Sequence, residues 1–405
     1  MTISAPEATP TKLEQTGQLG YKKHTDGGWG VVPIQTRSDR FRSTDVADFP
    51  ALTGREAVWK LTPIDRISDL IDGELDGGEY AYSATAVDGV DIRWVDRDDT
   101  RIGTAGTPEE RGSANAWTRF EKALAVTVSG EEAKTVRIDR SQFGIAPRAA
   151  HVLIEAKPFS SALVILENTG SARLSENVEI LVGDGADLTV VTVQQWDDEA
   201  AHLASHFTVV GRDARIKHVV VTLGGSVVRI NPSTHLNSSG GEVEALGLYF
   251  ADAGQHLEQQ VYVNHDAPHT RSRVTYKGAL QGEGARTVWI GDVLIRQTAT
   301  ATDSYEQNRN LVLTDGTRAD SIPNLEIETG DIAGAGHASA TGRFDDEQLF
   351  YLQARGIKEE EARRLVVRGF LTEIVQQIGD ADLQARLEVA IEEELSGTSL
   401  TSDGR

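Results

Sequence analysis

Histidine supplies most of the chemistry open to this chain, because ten histidines are present and no cysteine. His337 stands apart from the rest. It lies in GAGHASATG, Gly334 to Gly342, where every neighbour is glycine, alanine, serine or threonine. A neutral imidazole suits iron and other borderline metals, and small flanking residues let a second backbone come close. The plainer reading of a histidine in such a run is a satisfied buried side chain. His265 and His269 are four apart, a spacing that can suit zinc, but Pro268 breaks any helix that would put both rings on one face. His202 and His206 share that spacing among strand-like residues and read as packing or surface groups, while His235 and His256 show no partner pattern. There is no G-x-x-x-x-G-K-[ST] phosphate loop, no G-x-S-x-G elbow and no cysteine nucleophile, so ATP hydrolysis and serine- or cysteine-based acyl transfer are not expected.

Composition narrows the classes further. The 405 residues carry a formal net charge of −22, with a pI of about 4.9. That argues against nucleic acid or an anionic membrane surface as partner. No apolar run approaches the ~18 residues of a membrane-spanning helix. The first 20 residues lack an apolar stretch of signal-peptide type. An acidic cytoplasmic protein is the expectation, and disulfides are impossible.

Whatever His337 does, the elements around it must hold it. Residues 1–124 read as an irregular and partly helical N-terminal region. Trp59, Leu61, Ile64, Ile67, Leu70 and Ile71 recur at helical spacing behind Pro63, and residues 95–115 read as a solvated loop. From 125 to 344 the texture is short runs of Val, Leu and Ile separated by Gly, Asn, Asp and Ser. A repeat organises them. Gly183, Ala186, Leu188, Val191 and Val193 recur as Gly211, Ala214, Ile216, Val219 and Val221, 28 positions on. They recur more loosely as Gly240, Val243, Ala245, Leu248 and Phe250, 29 further on. A fixed period of this size is a solenoid signature, in which each coil buries its apolar face against the next. The register fades beyond Gly254.

Residues 345–397 read as a helical domain, with 398–405 as a polar tail. Asp345 is placed to cap a first helix, with Leu349, Phe350 and Leu352 facing inward. A second helix has the stripe Ala362, Leu365, Val366, Gly369, Phe370, Ile374 and Ile378. A third has Leu383, Leu387, Ala390, Ile391 and Leu395. Such helices can cap the open end of a solenoid or offer a face to a partner.

The segments NRNLVL (Asn308–Leu313), PNLEI (Pro323–Ile327), the His337 run ending in Thr341-Gly342, LFYLQARGI (Leu349–Ile357) and Gly369-Phe370 resemble the SufB/SufD family of iron–sulfur cluster assembly proteins, and SufD more than SufB. A short N-terminal match is seen at Glu56, Trp59 and Thr62-Pro63. The resemblance implies a mainly β fold, with a right-handed parallel β-helix core between an N-terminal α/irregular region and a C-terminal helical domain. It implies a non-catalytic scaffold that pairs with a SufB-like paralogue and docks a SufC-like ATPase on its C-terminal helices. His337 takes the place of the family histidine that faces the partner. A cysteine sometimes found just before that histidine is absent here, and Asp331 lies one residue further from it than the family pattern expects. Clusters are held mainly by thiolates, so this chain alone would hold none. A nascent cluster would be shared between His337 and the partner's cysteines, and the isolated chain could form a homodimer. Arg273, Lys277 and Glu326 are candidates for a path of iron or sulfur, with solvated surface as the alternative. Rival readings are a cytosolic β-helix enzyme acting on carbohydrate, built on Asp252, Asp266 and Lys277, and a purely structural scaffold.

Overall fold

The computed structural model describes residues 20–23, 31–34, 40–343 and 346–397. Among these, two nine-stranded sheets face each other along the whole middle of the chain. One, sheet I, ends in the strands Thr302–Val312 and Ile332–Gly342. The other, sheet II, ends in Arg286–Ile295 and Arg318–Ile327. Successive strands alternate between the sheets, so each sheet is parallel and the chain winds as a β-solenoid of about 8 turns. Within these two sheets only the first pairings are antiparallel, where Val90–Asp96 meets Lys122–Val128 and Ser83–Ala84 meets Lys134–Arg140, and Gly20–Lys23 and Val31–Ile34 form a separate antiparallel pair.

Most solenoid strands are about ten residues long and rich in Val, Leu and Ile. Nearly all their side chains are buried on both faces, as parallel strands require. Even-numbered positions of Asp187–Trp196 and Arg215–Gly224 point into the lumen between the sheets. Odd positions such as Val191, Val193, Val219 and Val221 point outward into a second core. The glycine that opens each repeat is required by stacking. A Cβ on Gly183 would lie 2.6 Å from the Pro158 nitrogen and 2.8 Å from the Ala156 carbonyl oxygen, in the turn of the coil below. The period also explains where the repeat was lost. Thr189 pairs with Lys217, 28 residues on, and Lys217 with Glu244, 27 on. Arg273 pairs with Tyr305, 32 on, and Tyr305 with Gly336, 31 on. The later coils are longer, so a fixed spacing cannot track them.

Each sheet has a cover. The N-terminal region lies on the outer face of sheet II through helices α1 (Ser68–Asp72) and α2 (Arg111–Arg119). Residues 95–115 are therefore not a solvated loop. Glu110 caps α2 through the Gly112 and Ser113 amides, and Glu179 of sheet II accepts from the Gly103 and Ala105 amides. The helical run expected at 56–71 is a single 3-10 turn, Ile64–Arg66, followed by α1, although Trp59, Ile67, Leu70 and Ile71 are buried.

Three C-terminal helices follow: α3 (Asp346–Gln353), α4 (Glu359–Val375) and α5 (Ala381–Gly397). They do not cap the solenoid. Helices α4 and α5 pack on the outer face of sheet I, against Val191, Val219, Val221, Leu246 and Leu248. The α5 stripe Leu383, Leu387, Ala390, Ile391 and Leu395 is buried as its spacing predicts. On α4 the buried residues are Ala362, Val367, Leu371, Ile374 and Val375, whereas Gly369 is exposed. The apolar surface of α4 is wider than one stripe, and contact with sheet I selects the Val367–Leu371 side. Phe350 of α3 faces solvent, not the core, at 72% exposure beside Tyr351 at 54%. The Asp345 cap and the Leu349 side chain lie outside the described residues, as do most of the N-terminal arm and the tail.

Candidate functional site

The two ends of the solenoid differ. At the N-terminal end Tyr80, Tyr82, Trp94 and Phe143 close the lumen with a cluster of rings in edge-on and tilted contact. At the other end, Arg318–Ile327 and Ile332–Gly342 are the last strands of their sheets, each paired on one side only. Their side chains are exposed or half-buried throughout. The lumen opens between them.

His337 sits at this mouth and is exposed. Its direction follows from its neighbours in the strand. Ala335 packs against the lumen core, and the Ser339 hydroxyl donates to Ser321 Oγ across the lumen at 2.8 Å. Positions two apart share a face, so His337 faces the lumen as well. Its register partner one coil in is Glu306.

Around this pair the lumen is polar. Asn308 donates to Tyr249 Oη at 2.8 Å, Tyr249 donates to Asn310 Oδ1 at 2.7 Å, and Ser321 donates to Asn308 Oδ1 at 2.7 Å. Burial pushes the Tyr249 phenol well above its usual range, so it is a neutral donor. Glu306 differs from these neighbours. It is 1% exposed, and neither carboxylate oxygen has a hydrogen-bond partner. The Asn324 amide is close enough to favour the anion slightly, but the contact lacks normal hydrogen-bond geometry. Desolvation, aided by the negative charge of Asp292, pushes Glu306 up to about 8. Its carboxylate reaches across to the opposite sheet, where a Cβ on Gly291 would lie 2.3 Å from it.

A polar ladder runs inward from the mouth. Thr341, Asn310, Gly278, Tyr249, Thr222 and Gln194 are successive register partners, and the row ends at Asn168 and Arg140. Arg140 is fully buried and paired with Glu176, which also bonds His202 Nε2 at 2.9 Å. His206 and His218 face each other at 3.1 Å, and burial depresses both. His202 and His206 are thus lumen residues and not surface groups. His265 bonds Thr270 and Ser272 inside the lumen, whereas His269 occupies a left-handed turn position, so the two do not form a zinc pair. His235 and His256 do have acidic partners, in Asp266 and Glu258.

The structure does not bring Arg273, Lys277 and Glu326 to the lumen. Arg273 is on the outer face of sheet I, paired with Asp303. Lys277 is buried beneath α4, paired with Glu373 and 4.6 Å from the Phe370 ring centre. Glu326 is on the outer face of sheet II, one residue from the lumen-facing Leu325. Sealing Lys277 under α4 also removes it from any carbohydrate groove with Asp252 and Asp266. Among the described residues no group of three or more His, Asp or Glu side chains is placed to hold a metal. Any ion at the mouth needs ligands from elsewhere.

A family model for the SufBD core domain of the SUF system for FeS cluster assembly matches residues 137–370, which include all but the first strands of both sheets, the mouth and most of α4. The chain belongs to the SufB/SufD family. An iron–sulfur cluster assembly SufBD family protein of Mycobacterium leprae is 46% identical over 372 residues, 89% of this chain and 95% of that one. One from Mycobacterium tuberculosis is 46% identical over 375 residues, covering 90% and 94%. The iron–sulfur cluster assembly protein SufD of Escherichia coli is 28% identical over 270 residues, covering 67% and 62%. The protein is therefore an iron–sulfur cluster assembly component of the SufBD type. Among its described residues no helix is long and apolar enough to cross a membrane.

Sequence reasoning missed Glu306 and the ladder behind it. A signal was present, since polar residues recur one coil apart along the row. Reading it required the later coil lengths, which only the register supplies.

Proposed function

We propose that this protein is the cysteine-free half of a two-chain scaffold on which a nascent iron–sulfur cluster is built in the cytoplasm. A SufB-like paralogue adds to the open last coil and brings the thiolates. His337, at the rim of that coil, supplies an imidazole to the shared cluster. A ligand set of imidazole and thiolate is chemically sound for iron. A SufC-like ATPase docks on the C-terminal helices, where Phe350 and Tyr351 are exposed. The chain itself catalyses no reaction in this reading. In the absence of the paralogue, the same open coil could take a second copy of the chain.

The observation that carries the reading is the placement of His337. A SufBD chain without a single cysteine carries this imidazole on the last strand of sheet I, which among the described residues is paired on one side only. The test is co-purification with SufB-like and SufC-like proteins, with iron and labile sulfide assayed in the complex. Wild type should carry a cluster, and His337→Ala should assemble the same complex with much less of it. Normal cluster yield from His337→Ala would remove the ligand role.

A further inference from the structure

A carboxylate taken out of water is normally paired with a cation, because its desolvation is otherwise uncompensated. Glu176 follows this rule, with Arg140 and His202 against it. Glu306 does not. Both of its oxygens are buried without a hydrogen bond, at 1% exposure. The elements packed around it bring it no Lys or Arg. Asp292, on Arg286–Ile295, has the same sign, and its own cation Arg40 lies on the outer side of sheet II. On Arg271–Leu280 the register partner of Glu306 is Val274, and Lys277 lies on the opposite face beneath α4. On Ile332–Gly342 the only titratable side chain is His337. From residue 318 to 342 the only Lys or Arg is Arg318, which is paired with Asp320 on the outer face of sheet II. One carboxylate oxygen lies 2.3 Å from where a Cβ on Gly291 would be, and Pro323 is the register partner of Gly291 in the last coil. The carboxylate is thus one coil in from the rim, on the Pro323 side.

We propose that Glu306 is one half of a buried ion pair whose other half is an arginine of a different chain, inserted through the mouth of the lumen when that chain docks on the last coil. This rests on the assembly reading above and adds what the partner must carry. A partner residue seated over Pro323 is two strand spacings of about 4.8 Å from the level of Gly291. Less one hydrogen bond of about 2.8 Å, about 7 Å remain to be spanned. That is the reach of an extended lysine or arginine, whose stems can lie along apolar surface, and more than histidine covers. Two unsatisfied oxygens select arginine. Its planar guanidinium donates to both at once, and it keeps its charge where burial would deprotonate a lysine. The rim leaves room for it, since apart from His337 the last strand has only Gly, Ala, Ser and Thr from Ala333 to Gly342. The nearby hydroxyls and amides are engaged with one another, so they hold the shape of the mouth without competing for the carboxylate. A second copy of this chain cannot complete the pair from its own last coil, because Arg318 is turned outward there. Glu306 is therefore also a specificity device, which favours a different chain over self-pairing.

The test uses the full-length chain and a SufB-like protein, combined with chelator present so that no cluster forms, with association measured by calorimetry at pH 7. Glu306→Gln, which keeps the shape and removes the charge, should bind the SufB-like protein at least tenfold more weakly than wild type. Wild type should also release close to one proton more per complex than the variant, read from the heats in phosphate and Tris. A carboxyl that titrates at about 8 in the free chain must ionise in order to pair. Self-association, followed by sedimentation, should be no weaker in the variant than in wild type. Circular dichroism and thermal unfolding establish that the variant is folded. Equal affinity and equal proton release in the two proteins overturn the pair and leave the assembly reading standing. Loss of affinity without the difference in proton release is a structural effect and also overturns the pair, as does an equal loss in self-association. If wild type does not associate with the SufB-like protein at all, the assembly reading fails, and ethylguanidinium titrated into the isolated chain decides the site. A melting temperature that rises in wild type relative to Glu306→Gln keeps the guanidinium site, and no difference between the two overturns it.

Discussion

Replacing Glu306 by Gln should stabilise the protein at alkaline pH. In the folded chain Glu306 titrates at about 8, against an ordinary 4.5, chiefly because burial penalises the anion. The folded state therefore holds a proton that the unfolded state has already lost. Stability from this group is full below about pH 4.5 and is lost as pH rises to about 8. At about 1.4 kcal/mol per pH unit, the interval sets a ceiling of about 5 kcal/mol. Water at the open mouth will relieve part of it, so a gain of about 2 kcal/mol or more is expected. Glutamine has the same shape and no charge, so the difference between variant and wild type should be small at pH 5 and grow towards pH 8.5. Chemical denaturation across that range, with chelator present to remove stray metal, measures the slope directly. A difference that does not change with pH, or a variant less stable at pH 8.5 than at pH 5 relative to wild type, would show that the carboxylate has a partner in solution.

Acid should act through the lumen histidines. Burial holds His218 and His265 down to about 4, so the unfolded chain takes up their protons first, and stability falls as pH drops from about 6.5 towards 4, by up to about 3 kcal/mol for each. His218→Gln should flatten that slope in denaturation curves, and an unchanged slope would exclude His218 as its source. Gly183→Ala should cost about 1–3 kcal/mol, because its Cβ meets backbone at 2.6 Å, whereas Gly254→Ala, with nothing within 4 Å but φ +73, should cost about 1. Equal losses would show that the solenoid turns are looser than their stacking implies. Phe350→Ala and Tyr351→Ala should leave the melting temperature unchanged and weaken association with a SufC-like ATPase at least tenfold, as read by calorimetry. Unchanged affinity would move the docking face elsewhere.

The parts of the fold legible in the sequence are those whose physics repeats. Gly183, Gly211 and the apolar positions behind them mark coils because each coil solves the same stacking problem. The α5 stripe is legible because one side of that helix is apolar and the other is acidic. The α4 stripe misleads because apolar residues occupy more than one side, and sheet I decides which is buried. The direction of the helices was not legible at all. Amphipathic helices after a solenoid can cap its end or line its flank, and the outward-facing Val191, Val193, Val219 and Val221 that demand a flank cover look, in sequence, like lumen residues. The short helix α2 hides for a related reason. Its burial comes from contacts with Leu203 and Phe207, some ninety residues away, and not from a local pattern. His337 was legible only through the family motif. Nothing local separates it from a satisfied histidine, and its partner Glu306 is 31 residues earlier, in a coil of irregular length.

The open end also constrains how a partner can attach. Unpaired edges invite strand addition, and proteins that must stay single block them with proline, charge or a cover. The two last strands are not equal in this respect. Arg318–Ile327 carries Pro323 at its centre, opposite Gly291, and has Arg318, Asp320 and Glu326 along it. A proline inside a strand is tolerated where its missing N–H falls on the unpaired side, so that edge lacks a donor where an incoming strand would need one. Ile332–Gly342 has no proline, and His337 is its only titratable side chain. Its Gly and Ala residues allow a second backbone to approach closely. A partner strand should therefore add to Ile332–Gly342 first, bringing its own side chains directly over His337, while the Pro323 edge contributes side-chain contact alone. Hydrogen exchange of the complex tests this, with amides of 332–342 expected to gain protection well beyond those of 318–327. Equal protection of both strands would mean that the partner seals the mouth as a whole, and protection of 318–327 alone would refute strand addition beside His337.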